Sequence, residues 1–365
     1  MKQISLTHPL FIGKEIEYVT DCISSTWVSS GKYISLFEKK FAKFCDSAYS
    51  STTSSGTSAL HLIFLALKIK NGDEVLIPDL TYVSTANAVK YTGAKPVFID
   101  VDKEIGTIDP SRIEEKITKR TKAIIVVHIY GHPADMDGIN VIAKKHNLIV
   151  IEDACQAHGA LYKGKKVGSL SKVGCFSFSG AKIITTGEGG MIVSDDENLI
   201  KNVASLKRNF TSKGNNFYHS DIGYNYRLTN IQAALGLAQL EKIQKLLGIK
   251  LKNAKLYNTF FKDEKLIQIP HEKPWAKSSY WLYSMVLKKT GLRDKLIDYL
   301  KDKGIETRPF FVPMHKLPMY KEKVKFPVTD YLSENGISLP SGLTLSTRDI
   351  DYVSTHVKKF LKKNA

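Results

Sequence analysis

From about residue 55 to residue 195, short apolar runs of strand length alternate with stretches of helix length, and nothing else in the chain restricts the fold as strongly. DEVLIP, AKPVFID, KAIIVVHIY, LIVIED, GCFSFS and GGMIVSD are apolar almost throughout, as strands covered on both faces must be. Between them SALHLIFLALKI, VSTANAVKYT, PSRIEEKI and MDGINVIAKKHN read as helices. This is the pattern of an α/β domain with a mostly parallel central sheet and helices on both faces.

The stretch TNIQAALGLAQLEKIQKLLGIKLKNAKLYNTFFKD reads as a long helical connector. Beyond it the order changes: SYWLYSMVL and IETRPFF look like strands, RDKLIDYLKDKG and TRDIDYVSTHVKKFLKK like helices, which suits a smaller α+β domain. The expected division is 1–248 for the large domain and 249–365 for the small one. With no internal repeat and no Pro/Ser-rich linker, the two are expected to pack together.

Composition narrows the function classes. A chain of 365 residues with 43% hydrophobic content can bury a sizeable core. Cys22, Cys45, Cys155 and Cys175 lack both zinc-site spacing and the density of a disulfide scaffold, so a reducing cytoplasm fits. The N-terminal MKQISLTHPLFIGKE has no apolar region behind a basic start, and no stretch approaches the roughly 18 apolar residues of a membrane span. The expectation is an untargeted protein that does not enter a membrane.

The formal charge of +17 admits nucleic acid, an anionic membrane surface or a multiply anionic small substrate as partner. Much of it is lysine on helix-like segments, Lys242 to Lys255 and Lys358, Lys359, Lys362 and Lys363, where a solvated face explains it. No nucleic-acid partner is expected.

Three segments could carry chemistry. In SSGTSALHL, the small residues Ser54, Ser55, Gly56, Thr57 and Ser58 precede an apolar helix, where free N–H groups and the positive end of the dipole suit a phosphate; a plain N-cap is the alternative. LIVIEDACQAHGA ends a buried strand in Glu152 and Asp153, with Gln156 three residues on, and open parallel sheets collect ligands at such strand ends; a helix-capping Asp153 is the alternative. In FSFSGAKIITTGEGGM, Lys182 follows a strand; a desolvated lysine loses its charge readily and can form a Schiff base.

Other motifs fail. Gly187-Glu188-Gly189-Gly190 has the wrong spacing for a dinucleotide loop and precedes a strand, and His128 with His132 or Cys155 with His158 is too few ligands for a metal site, so no metal is expected. Walker, G-x-S-x-G and zinc-finger patterns do not occur.

Phosphate cup, strand-end acid and lysine, in that order, resemble fold-type I pyridoxal-phosphate enzymes. GTSALHL, PDLTYVSTANAV, IEDACQAHGA, FSFSGAKIITTGEGGM and GYNYRLTNIQAALGLAQLE further resemble the motif set of the DegT/DnrJ/EryC1/StrS sugar aminotransferases, over nearly the whole chain. The resemblance implies that Lys182 holds pyridoxal 5'-phosphate and moves protons, Asp153 pairs with the pyridine nitrogen, Gln156 lies near the phenolic oxygen and Tyr82 stacks on the ring. Gly56, Thr57, Ser58 and Ser177 would hold the phosphate, joined by Asn225 from a partner subunit, which implies a homodimer with shared sites. Ala181 departs from the Asn that many relatives carry before the lysine. Some relatives replace the lysine by histidine and dehydrate their substrate; Lys182 implies transamination here.

WVSSGKYISLFEKKFAKF, ETRPFFVPMHKLPMY and NGISLPSGLTLS are similar to members that aminate C4 of GDP-4-keto-6-deoxymannose with L-glutamate. Trp27, Ser29, Ser30, Arg308 and His315 are then candidates for the sugar-nucleotide site, with local packing of Trp27 and a local ion pair of Arg308 as alternatives. A UDP- or dTDP-linked 4-keto-6-deoxy sugar, with or without an N-acetyl group, is the competing substrate, and a basic polyanion-binding protein on the same fold is the competing class.

Overall fold

The computed structural model describes residues 3–212 and 215–364. Its largest sheet has seven strands in the order Tyr49–Thr53, Gly190–Ser194, Val173–Ser177, Ile149–Asp153, Thr121–Val127, Glu74–Pro78 and Lys95–Ile99. The last five run parallel, while Gly190–Ser194 lies antiparallel to both of its neighbours. Helices cover the sheet, which explains why runs such as Ala123 to Val127 are apolar on both faces and fully buried. The mostly parallel α/β domain expected from the alternation is the observed one.

Some expectations need correction. PSRIEEKI forms two 3-10 turns, Pro110–Arg112 and Glu114–Lys116, because only Ile113 in it is buried and a single anchor supplies no apolar stripe. The long connector is two helices, Asn230–Glu241 and Ile243–Phe261, separated at Lys242, whose φ of −109° and ψ of 5° leave the helical region. Tyr49–Thr53 is a strand that the apolar pattern passed over, since YSSTT is polar and pairs along only one edge.

A second sheet, Ile267–Gln268, Tyr283–Leu287, Gly336–Leu339 and Arg308–Pro309, is antiparallel. The strands inside SYWLYSMVL and IETRPFF are thus shorter than the apolar runs. Ile243, Leu246 and Leu247 pack with Phe37 and Phe178, whereas Ala254, Tyr257 and Phe261 pack with Tyr283, Leu296 and Val353. The two cores therefore meet within one unbroken helix. Near the N-terminus, Ile4 forms an isolated parallel bridge to Ile305. No helix among the described residues is long and apolar enough to cross a membrane.

Candidate active site

The carboxyl end of the Ile149–Asp153 strand shows how the fold sorts two adjacent acids. Side chains alternate across a strand, so Glu152 and Asp153 point to opposite faces. Glu152 is fully buried and accepts hydrogen bonds from Gly168 N at 2.6 Å, Leu170 N at 2.7 Å and Ser171 Oγ at 3.0 Å. His128 completes this set: its Nδ1 accepts from Ala134 N, which leaves the proton on Nε2 to be donated to Glu152 at 3.0 Å. Glu152 is anchored and spent.

Asp153 instead faces a cavity of about 310 Å³. Its Oδ1 accepts from Cys155 N at 3.1 Å and its Oδ2 from the Thr85 hydroxyl at 3.0 Å. The carboxylate is oriented by both contacts, and neither neutralises it.

On another wall the Gly56–Ala66 helix begins. Ser55 caps it through a reciprocal box: the Ser55 hydroxyl accepts from Ser58 N at 3.0 Å and the Ser58 hydroxyl accepts from Ser55 N at 2.9 Å. Both polar groups of Ser58 are used in the cap, and Ser58 itself does not line the cavity. The N–H groups of Gly56 and Thr57 meet no acceptor in the described chain and open the helix end to an anion. A Cβ at Gly56 would stand 2.8 Å from Cys155 Sγ and 2.9 Å from Ser177 Cβ, so only glycine lets the three segments close around that point.

Gln156 is oriented by its neighbour. Tyr130 N–H donates to Gln156 Oε1 at 2.8 Å, which turns the side-chain NH₂ outward as a donor. Lys182 sits on the turn after Val173–Ser177, its own N–H held by the Ser179 carbonyl at 2.9 Å. Its amine has no hydrogen-bond acceptor among the described residues and lies 3.8 Å from the centre of the Trp281 ring. Desolvation lowers its proton affinity below that of an ordinary lysine, against the opposing pull of Cys155, Asp153 and Glu188.

One cavity thus gathers Gly56, Thr57, Tyr82, Asp153, Gln156, Ser177, Lys182 and Arg308. Other expected residues lie elsewhere. His315 is buried, with Nδ1 2.6 Å from Asp79 Oδ2 and its backbone N–H on Asp79 Oδ1, so its imidazole is committed to a latch between the C-terminal segment and the large sheet, not to this cavity. Trp27, 61% exposed, lines a hollow with Lys32 and Asn230, and Ser29 and Ser30 line another with Glu38, Lys207 and Arg227. Asn225 is exposed, accepts from Arg227 Nε at 3.0 Å, and stays outside the cavity of its own chain.

The sequence reading missed Thr85, Trp281 and Phe311, all of which line the cavity. Thr85 lies in PDLTYVSTANAV, one helical turn past Tyr82, and could have been found there. Trp281 and Phe311 sat within strand candidates, where an aromatic reads as core.

Comparison with known proteins identifies the family. Residues 11–358 match the model of the DegT/DnrJ/EryC1/StrS aminotransferase family. The chain is 46% identical over 362 residues to a GDP-perosamine synthase of Escherichia coli O157:H7, covering 99% of each, and 41% identical over 364 residues to that of Caulobacter vibrioides, covering 97% of each. Among solved structures, it is similar to the Helicobacter pylori aminotransferase PseC, involved in the biosynthesis of pseudoaminic acid, with TM-score 0.95, 27% identity, and coverage of 99% of this chain and 100% of that one. Spr1654 of Streptococcus pneumoniae, solved in a PLP form, gives TM-score 0.95 and 27% identity over 99% of both chains.

Proposed function

The chain belongs to the DegT/DnrJ/EryC1/StrS aminotransferase family and is a PLP-dependent sugar aminotransferase, and from that premise we propose that it transfers the amino group of L-glutamate to C4 of GDP-4-keto-6-deoxy-D-mannose, giving GDP-perosamine. The observation that carries the choice of sugar is the 46% identity to a GDP-perosamine synthase along 99% of both chains.

The residues present fit pyridoxal phosphate. Two free N–H groups at a helix start suit its phosphate, an oriented buried carboxylate suits its ring nitrogen, an outward amide donor suits its phenolic oxygen, and an amine without a partner faces the same space. Bound there, the cofactor supplies an aldehyde that takes up the amino group and a ring that accepts electrons from the reacting carbon.

The chain's own residues would do the rest. Gly56 and Thr57 N–H, with the Ser177 hydroxyl, would hold the phosphate. Asp153 would keep a proton on the ring nitrogen by its negative charge, Gln156 would donate to the phenolic oxygen, and Tyr82 would cover a ring face. Lys182 Nζ would hold the cofactor covalently, yield to the amino donor, and then take a proton from the reacting carbon and return one. Burial helps here, because an amine with lowered proton affinity is a better base near neutral pH. Arg308, at the cavity wall, would meet the anionic groups of the donor or of the sugar nucleotide.

The same reading makes the enzyme a cytoplasmic homodimer. Asn225, Trp27, Ser29 and Ser30, which stand outside the cavity of their own chain, would then serve the site of a second copy. Light scattering at working concentration checks this, and a monomer with full activity would overturn it.

The substrate is tested by mass spectrometry of reactions with L-glutamate and, in parallel, GDP-4-keto-6-deoxymannose or UDP-linked 4-keto-6-deoxy-N-acetylglucosamine. Amination of the GDP sugar alone is expected. Amination of the UDP sugar alone would keep the chemistry and overturn the substrate.

A further inference from the structure

A desolvated ammonium can donate three hydrogen bonds, yet the Lys182 amine makes none among the described residues. What it meets is the face of Trp281, 3.8 Å away. The same side chain also grips the lysine's backbone: the Trp281 indole N–H donates to the Ala181 carbonyl at 2.6 Å. One residue from the distant C-terminal part thus touches both ends of Lys182.

Trp281 is itself held from several directions. It is 3% exposed, its ring stacks on Tyr130 with centres 6.4 Å apart and planes 18° off parallel, and its carbonyl accepts from Lys250 Nζ at 2.9 Å. Its backbone lies so close to Gly131 that a Cβ there would stand 2.9 Å from Trp281 N. A ring fixed this way is a surface for something else to rest on.

We propose that Trp281 is a positioning residue for Lys182: its ring is the dock on which the amine rests whenever it is free of the cofactor, and its indole N–H anchors the peptide that carries the lysine. The inference rests on Lys182 being the cofactor's lysine. Transamination releases that amine in every half-turn and needs it back at the same carbon. A carboxylate at this point would pin the ammonium, and a bare alkyl wall would leave it unpaired in a desolvated site. A π face is intermediate: it attracts the cation and lets it leave.

The groups bearing on the amine are Asp153, Cys155 and Glu188, which favour its charged form, Arg308, which opposes it, and the buried His158. Trp281 adds to the first set. Replacing its ring by an alkyl side chain that keeps the amine desolvated is therefore expected to lower the pH at which Lys182 loses its proton.

The test is pH-dependent reductive methylation of the cofactor-free full-length protein, with labelling of the Lys182 peptide followed by mass spectrometry. Trp281→Leu is expected to lower the labelling midpoint by about half a pH unit or more, while Trp281→Phe keeps most of the parent midpoint and slows the glutamate half-reaction about threefold to tenfold through loss of the Ala181 anchor. A midpoint in Trp281→Leu that is unchanged or higher overturns the dock. Should the leucine variant unfold, as judged by circular dichroism, Trp281→Met makes the same comparison with closer volume. Borohydride reduction of the parent holoenzyme and peptide mapping separates the two ideas: a pyridoxyl group on another lysine defeats the assignment of Lys182, whereas a pyridoxyl group on Lys182 with an unmoved midpoint defeats only the dock.

Discussion

Two lysines drawn out of water, Lys182 and Lys250, use their amines in opposite ways. At the carboxyl ends of the large sheet, Lys182 reaches into a cavity with no acceptor for its amine among the described residues. Behind Trp281, on the Ile243–Phe261 helix, Lys250 donates to the Trp281 carbonyl at 2.9 Å and the Ser341 carbonyl at 2.5 Å. Desolvation lowers the proton affinity of both, that of Lys250 to about 7. Burial alone therefore does not mark a reactive lysine. The mark is donor capacity left unspent beside open space, and Lys207, also buried but bound to the Thr52 carbonyl at 2.7 Å and Glu38 at 3.2 Å, falls on the structural side of that line.

The contrast breaks most visibly at Lys182 itself. Lys182→Ala is expected to lose about 1,000-fold or more of the transamination rate while its urea unfolding midpoint stays near that of the parent. Full turnover by mass spectrometry of the amino sugar would end the assignment. Asp153→Asn comes next, since an amide cannot hold the ring nitrogen protonated by charge: a loss on the order of 100-fold in the glutamate half-reaction is expected, followed by stopped-flow absorbance.

Lys250→Met probes the other side. It leaves two buried carbonyls without donors and should cost roughly 2–3 kcal/mol of stability by urea titration, with turnover per folded molecule changed less than about threefold. The pH dependence has a definite sign. Lys250 is held down to about 7 in the fold, against 10.5 for a free lysine, so the unfolded chain binds more protons in that window. Its contribution is most favourable above pH 10.5 and is lost as pH falls toward 7; the variant should lack that slope. The smallest effect is expected from Thr85→Val, which removes one donor from Asp153 and should slow turnover about fivefold, the equivalent of roughly 1 kcal/mol. A larger loss would make Thr85 a partner of Asp153 in the chemistry and not only its orienting group.

Legibility in the sequence followed the same division. Thr121–Val127 was readable because a strand covered on both faces must be apolar throughout, whereas YSSTT hid a strand whose residues carry hydroxyls. Lys182 and Asp153 stood out because their chemical type is costly at the end of a buried strand. Ser58 and His315 have equally suggestive chemical types, and the fold uses them in a helix cap and a buried hydrogen bond to Asp79. Trp281 could not stand out, since an indole within an apolar run is indistinguishable from core until the fold sets it against a lysine.

The sequence by itself determined the α/β architecture, through apolar periodicity that each segment carries locally, and the chemical types available at the strand ends. Only the tertiary structure decided which of those groups remain unsatisfied. Whether Glu152 or Asp153, Lys182 or Lys250 keeps free capacity depends on the donors and acceptors that distant segments bring, and a missing partner is a property of the whole set of contacts, written in no single stretch of the chain.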